Sequence, residues 1–257
     1  MDVSLTHILI LSTVAFFAGT VDAIAGGGGL IQLPALFLVF PSAAVAPLLG
    51  TNKFSSIWGT GVATVKYLRH VKLDVRRILP SAILAGATAM AGAVAVSYAD
   101  PEKIKPAIAV VLVAVLLFTV ARNTFGVIRV RKEAVRFPLL KALMIAGLVG
   151  FYDGFLGPGT GVFLVFGFVG LMGMDFLEGS ASAKVINLAT NVAAIGYFAS
   201  SGLVEYRLGV PMAFANVVGG YIGSHMAIAK GSTFVRKVFL IVVGLILMRL
   251  SYDILTR

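Results

Sequence analysis

The same interruption occurs twice in this chain, 131 positions apart: Asp22-Ala-Ile-Ala-Gly26-Gly-Gly28-Gly29 and Asp153-Gly-Phe-Leu-Gly157-Pro-Gly159-Thr160. Each places an acidic residue and a flexible turn inside an apolar run. In a bilayer the backbone groups freed by such a break must be satisfied by protein or water, so breaks persist only where the chain is buried or lines a cavity. Two breaks at corresponding positions are the pattern of a transport site built from discontinuous helices.

That reading needs a bilayer, and the composition supplies one. The 257 residues are 59% hydrophobic and 12% charged, with a mean hydropathy of +0.99. Several runs reach the roughly 20 apolar residues that a spanning helix requires. With no cysteine and three scattered histidines, thiolate, disulfide and clustered-histidine metal chemistry are excluded, and no cofactor or metal is expected. The net charge of +10 sits in short stretches between apolar runs, as in cytoplasmic loops, so nucleic acid is not an expected partner. The first apolar run, Ile8 to Ala25, resembles a signal peptide, but no Lys or Arg precedes it and an equivalent stretch recurs mid-chain; it is read as structure.

At the 131-residue offset the pairs Gly19/Gly150, Asp22/Asp153, Gly26/Gly157, Gly28/Gly159, Lys53/Lys184, Arg76/Arg207, Pro80/Pro211 and Gly92/Gly223 are identical. Glycine coincides easily in so apolar a chain, but paired Asp, Lys, Arg and Pro do not. The halves are therefore read as a duplication. Each has an apolar segment before the break (7–24, 139–156), a shorter one after it (29–40, 161–172), and three longer helices (45–68, 77–98, 104–121 and 179–200, 207–229, 236–254).

Loop charge then selects between a hairpin and a single broken span. The basic stretches are Arg69 to Arg77, Arg122 to Lys141 and Lys230 to Lys237, while 99–103 and 201–207 are nearly neutral. Only a hairpin at each break puts all three basic stretches on the cytoplasmic side. The expected fold is an all-α integral membrane protein of two inverted repeats, each a broken-helix hairpin plus three transmembrane helices. The expected units are a first repeat at 1–121, a basic cytoplasmic loop at 122–138 and a second repeat at 139–257, with both termini outside the cell membrane. Pro34 and Pro158 near the breaks are read as marking chain that does not continue a regular helix.

A lysine deep in a bilayer costs roughly 2.5–3.5 kcal/mol on insertion scales and is expected to face a cavity or a partner. Lys53, Ser56 and Thr60 share one helix face, and so do Lys184, Asn187 and Asn191. Thr51, Asn52, Ser55, Thr160 and Thr190 are placed to join the same cavity. Two ammonium groups among amide and hydroxyl donors suit a small anion, more so if helix N-termini after Gly29 and Gly161 point at it. Two readings of the lysines stay open: contact with the ligand, or snorkelling or pairing with Asp22 and Asp153. Three roles stay open for the aspartates: bracing the hairpins at Gly26, Gly28, Gly157 and Gly159, counter-ion, or proton carrier.

Other features carry less. His225 corresponds to Val94, so a mechanism shared by the halves does not use it, and Gly219-x-x-x-Gly223 is a close-packing spacing. Gly26 to Gly29 lacks the Gly-Lys-Ser/Thr of a nucleotide-binding loop. No histidine pair or nucleophile–base set is visible, so an enzyme is not expected.

Asp-Ala-Ile-Ala-Gly-Gly-Gly-Gly-Leu-Ile-Gln-Leu-Pro at 22–34, Gly-Thr-Asn-Lys at 50–53, Gly-Pro-Gly-Thr-Gly at 157–161 and Ala-Lys-Val-Ile-Asn-Leu-Ala-Thr-Asn at 183–191 together resemble the TauE/SafE sulfite exporter family. The resemblance implies a small membrane transporter exporting sulfite or an organosulfur anion such as sulfoacetate, often beside pathways that degrade sulfonates. It places the glycine hairpins with Asn52, Lys53, Lys184, Asn187 and Asn191 at the central site. The expectation is thus alternating-access export of a small sulfur oxyanion, with the substrate and the bilayer as partners and a homodimer allowed. A channel-like anion pathway is the alternative, and a membrane-embedded enzyme a distant third.

Overall fold

A computed structural model describes residues 3–99 and 136–255. The segment expected at 104–121 and most of the basic loop at 122–138 lie outside the described residues. The elements are α1 (Leu5–Ala25), α2 (Gly29–Val39), α3 (Val45–His70), α4 (Val75–Ser97), α5 (Pro138–Phe155), α6 (Thr160–Phe166), α7 (Phe176–Ser200) and α8 (Tyr206–Leu255). A π-helical turn, Gly167–Leu171, extends α6, and α8 is interrupted at Gly231, where the backbone leaves helical geometry at φ 69°. There is no strand among the described residues.

By length and composition α1, α4 and α5 are each able to cross a membrane. Their outer faces carry large apolar side chains in the open: Leu9, Phe17, Ile83 and Leu148 are all exposed, as are Leu38 on α2 and Phe214 on α8. Water would disfavour so much bare apolar surface, and lipid would not. This is a membrane protein.

Both breaks are hairpins. The rings of His7, at the start of α1, and Phe40, just past the end of α2, lie 5.0 Å apart in an edge-on contact, so the two arms run back along one another. In the second half Gly167 abuts the Ile145 side chain and the Tyr152 and Phe163 rings meet at 5.1 Å. Each hairpin seats its own apolar core: Leu11, Leu33, Leu36 and Phe40 with Leu48 and Phe198 around the first, and Ile145, Val162, Leu164 and Phe168 with Tyr67 and Ile186 around the second.

One expectation is corrected by α2. Pro34 does not mark where regular helix stops, because α2 runs from Gly29 through Pro34 to Val39. A proline here removes one backbone donor, leaving the carbonyl a turn earlier without its helical partner, and the short helix tolerates that loss. Pro158, by contrast, does sit in the non-helical stretch between α5 and α6.

Small residues set the helix spacing. A Cβ at Gly223 would lie 2.3 Å from the Thr20 carbonyl oxygen, and one at Gly92 would lie 2.3 Å from that of Phe151. Thr20 and Phe151 are 131 residues apart, as are Gly92 and Gly223. The same contact is therefore made twice with the halves exchanging roles: α8 against α1, and α4 against α5. Only glycine permits backbones to approach this closely.

Candidate functional site

The turns that end α1 and α5 meet at the centre. Gly26 caps α1 in the left-handed region, at φ 81°, with its N–H donating to the Asp22 carbonyl. Gly157 and Gly159 take φ 87° and 84° on either side of Pro158. A Cβ on Gly26 would be 2.4 Å from the Gly161 carbonyl carbon, and one on Gly161 would be 2.5 Å from Gly26 Cα. The two tips touch backbone to backbone. Carbonyls at the breaks find tyrosines: Tyr67 OH donates to the Ala23 carbonyl at 2.9 Å, and Tyr152 OH donates to that of Pro158.

Across this junction the acidic residue of each half pairs with the lysine of the other. Lys53 Nζ is 2.5 Å from Asp153 Oδ2, and Lys184 Nζ is 2.6 Å from Asp22 Oδ2. Both lysines lie in the third turn of their helices, α3 and α7, and the aspartates in the last turns of α1 and α5. Lys53, Lys184 and Asp153 are buried, whereas the Asp22 side chain keeps 16% exposure. An isolated buried charge costs several kcal/mol, which the partner offsets.

The two pairs are bonded differently. Lys184 donates an aligned hydrogen bond to Asp22 Oδ2, and Thr60 Oγ1 donates to the same oxygen at 3.3 Å. Asp153 Oδ1 accepts from Thr160 Oγ1 at 2.5 Å. Asp153 Oδ2, however, meets only Lys53 among the described residues, with no second donor on that oxygen.

Between the tips and the α3 and α7 faces lies a small polar cavity of about 30 Å³. Asn52, Lys53, Ser56 and Thr60 line it from α3, Asn187 and Asn191 from α7, and Thr160 with Gly26, Gly28, Gly157 and Gly159 from the hairpins, beside Asp22 and Asp153. Most of the residues singled out in the sequence are thus brought together. Lys184 is not in this lining; its ammonium lies behind Asp22. Thr51 is absent too, because its hydroxyl donates to the Pro47 carbonyl and accepts from the Glu205 N–H. Ser55 and Thr190 are buried outside the lining.

Two lining residues escaped the sequence reading. Asn216 Nδ2, on α8, donates to Gln32 Oε1 at 2.8 Å and Ser55 Oγ at 2.7 Å, and Gln32 Nε2 donates to Ser55 Oγ at 2.8 Å. At the 131-residue offset the positions matching Gln32, Ser55 and Asn216 hold Phe163, Ile186 and Ala85. The repeat could not reveal them; the signal was a single side-chain amide in each of two helices, set in an apolar stretch. Asn52 Oδ1 is a buried acceptor with no donor.

The lining is rich in donors, crossed by two charge pairs, and without a cluster of His, Cys, Asp or Glu able to hold a metal among the described residues. Any anion entering it would compete with a carboxylate for an ammonium. Residues 11–250 match the family described as Sulfite exporter TauE/SafE. Similar chains include a probable membrane transporter protein, ORF9, of Sinorhizobium sp., 34% identical over 98% of this chain and 95% of the other. Another, from Haemophilus influenzae, is 32% identical over 98% of both. The probable membrane transporter protein YfcA of Escherichia coli K12 is 31% identical over 95% of this chain and 89% of its own. No solved structure matches. The family is described as an exporter and these relatives as probable membrane transporters, not as enzymes. With its paired hairpins and buried polar cavity, the chain belongs to the sulfite exporter TauE/SafE family.

Proposed function

We propose that this protein is a secondary transporter that exports a small sulfur-containing oxyanion, sulfite or an organosulfonate such as sulfoacetate, by alternating access between two inverted repeats. The observation that carries this reading is the convergence of Lys53 with Asn52, Ser56, Thr60, Thr160, Asn187 and Asn191 on one cavity at the hairpin tips. Hydroxyl and amide donors around an ammonium suit a tetrahedral or pyramidal oxyanion, whose oxygens accept several hydrogen bonds at once. The family description adds the sulfur oxyanion.

In this reading the basic stretches at 69–77 and 230–237 face the cytoplasm and both termini lie outside. A cell interior negative by about 100 mV favours outward movement of each negative charge by about 2.3 kcal/mol. The exchange of partners between halves, Lys53 with Asp153 and Lys184 with Asp22, suits two units that rock about a shared centre. Flux of sulfite, sulfate, sulfoacetate and a carboxylate control into proteoliposomes tests the substrate; sulfur oxyanions should move and be accelerated by substrate on the opposite side. Flux of none of them would sink the reading, and flux without trans acceleration would favour a channel. Single cysteines at 72, 203 and 233 in this cysteine-free chain should label from the cytoplasm, the outside and the cytoplasm.

A further inference from the structure

We propose that the Lys53–Asp153 pair is the exchangeable one, and that an anion binds by displacing Asp153 from Lys53 while Asp153 takes up a proton; the inference rests on the anion-transport reading above. Among the described residues no ammonium in the cavity is free. Lys53, the one lysine in the described lining, is already matched by Asp153, so an incoming oxyanion adds negative charge to a place that holds two carboxylates. If Lys53 turns to the anion, Asp153 is left as a buried carboxylate without a counter-charge. Desolvation disfavours that charged form strongly. Taking a proton from water at the open face of the cavity removes the conflict: the Lys53–carboxylate ion pair is replaced by a Lys53–oxyanion pair, the carboxylate becomes a carboxylic acid, and the net charge of the centre changes by the anion and one proton together.

Three observations assign this event to Asp153 rather than Asp22. Lys53 reaches the cavity and Lys184 does not. Among the described residues Asp153 Oδ2 is held by Lys53 alone, whereas Asp22 Oδ2 is held by both Lys184 and Thr60. Thr160 stays on Asp153 Oδ1, so the carboxyl group keeps a partner while its other oxygen changes state. Among the described residues the ionisable groups around the centre are Lys53 and Tyr67 from α3, Lys184 from α7, Asp22 from α1 and Tyr152 on Asp153's own helix; α6 brings Thr160, and α4 brings Ala89 and Gly92. Lys184 and Asp22 cancel one another, which leaves the displaced Asp153 as the group to be neutralised.

The test uses the full chain in detergent and sulfoacetate, whose sulfonate and carboxylate both stay ionised near neutral pH. Titration in buffers of different ionisation enthalpy should show uptake of close to one proton per anion bound, and affinity should fall up to about tenfold per pH unit, as one linked proton requires. Asp153→Asn should bind without proton uptake and with an affinity flat from pH 6.5 to 8.5, while Asp22→Asn should retain the uptake. Wild-type binding without proton uptake overturns the inference and spares the anion reading. Loss of uptake in Asp22→Asn but not in Asp153→Asn overturns the assignment. Failure of the wild-type protein to bind sulfoacetate, sulfite or sulfate removes both.

Discussion

The two halves of this protein agree where they touch and differ where they line the cavity. Both contribute an Asp at the end of a helix, a lysine in the third turn of another, and a glycine tip that meets its counterpart at van der Waals contact or closer. On one side of the cavity, however, Gln32, Ser55 and Asn216 form a hydrogen-bonded amide–hydroxyl cluster, while the matching positions, Phe163, Ile186 and Ala85, are apolar. The halves are alike at the junction, where any change must be met by the other half. They differ in the lining, where one half can carry polarity alone. The cavity is consequently lopsided, with this bonded cluster on its α2–α8 side only.

The sharpest way to break this comparison is at the junction. Gly26→Ala places a Cβ 2.4 Å from Gly161 in a residue held at φ 81°. Left-handed backbone costs a non-glycine residue about 1–2 kcal/mol and overpacking about 1–3 more, so little folded protein should survive. Gly202→Ala shares the positive φ, at 68°, but has no neighbour within 4 Å and should lose only the backbone part. Equal melting temperatures for the two variants, read by size exclusion after heating, would remove the close tip contact.

Next come the two charge pairs. Asp22→Asn strands Lys184 behind the cavity, and breaking a buried pair from one side costs about 3–5 kcal/mol. Asp153→Asn strands Lys53 in the lining, where a solution anion can replace the lost carboxylate. The first should be the less stable, and sulfate should raise the melting temperature of the second more than that of the first. An identical response of both variants to sulfate would make the pairs equivalent.

Much of the junction was legible in the sequence because repetition amplified it. A single Asp or Lys in an apolar run is ambiguous; the same residue at the same offset twice is not. Which Asp joins which Lys was not legible, since the exchange between halves depends on how the tips pack, across separations that no local pattern encodes. Gln32 and Asn216 stayed hidden for the converse reason: their counterparts are Phe163 and Ala85, so a comparison of halves filtered them out. Thr51 has the right residue type two positions before Lys53, but a shift of two residues turns a helical side chain well away, and its hydroxyl meets Glu205 instead. Pro34 lies inside a continuing helix while Pro158 lies in the break itself, so a proline near a break does not by itself mark a helix end.

The amide cluster should yield a smaller effect on stability than either pair. Asn216→Ala removes the donor shared by Gln32 and Ser55, and leaving such groups unsatisfied costs about 1–3 kcal/mol. Replacing all three residues by those of the other half, Gln32→Phe, Ser55→Ile and Asn216→Ala, should cost less than the sum of the three single changes, because no polar group is left without a partner. The triple variant should still lose affinity for sulfoacetate in the titration above. Unchanged affinity would mean that the lopsided lining does not contact the ligand.

The smallest effect is expected where nothing touches the chain. Gly196, on α7, has no neighbour within 4 Å for an added Cβ, and its counterpart at the 131-residue offset, Val65, is exposed on α3. Alanine there should raise stability by about 0.5–1 kcal/mol, since glycine in a helix interior loses more backbone freedom on folding, and should leave flux unchanged. A drop in stability or flux would show that α7 presents this face to a neighbour rather than to lipid. Because Val65 bears a side chain at the matching place in the first half, such a drop would also separate the outer surfaces of the two halves as clearly as Asn216 separates their inner ones.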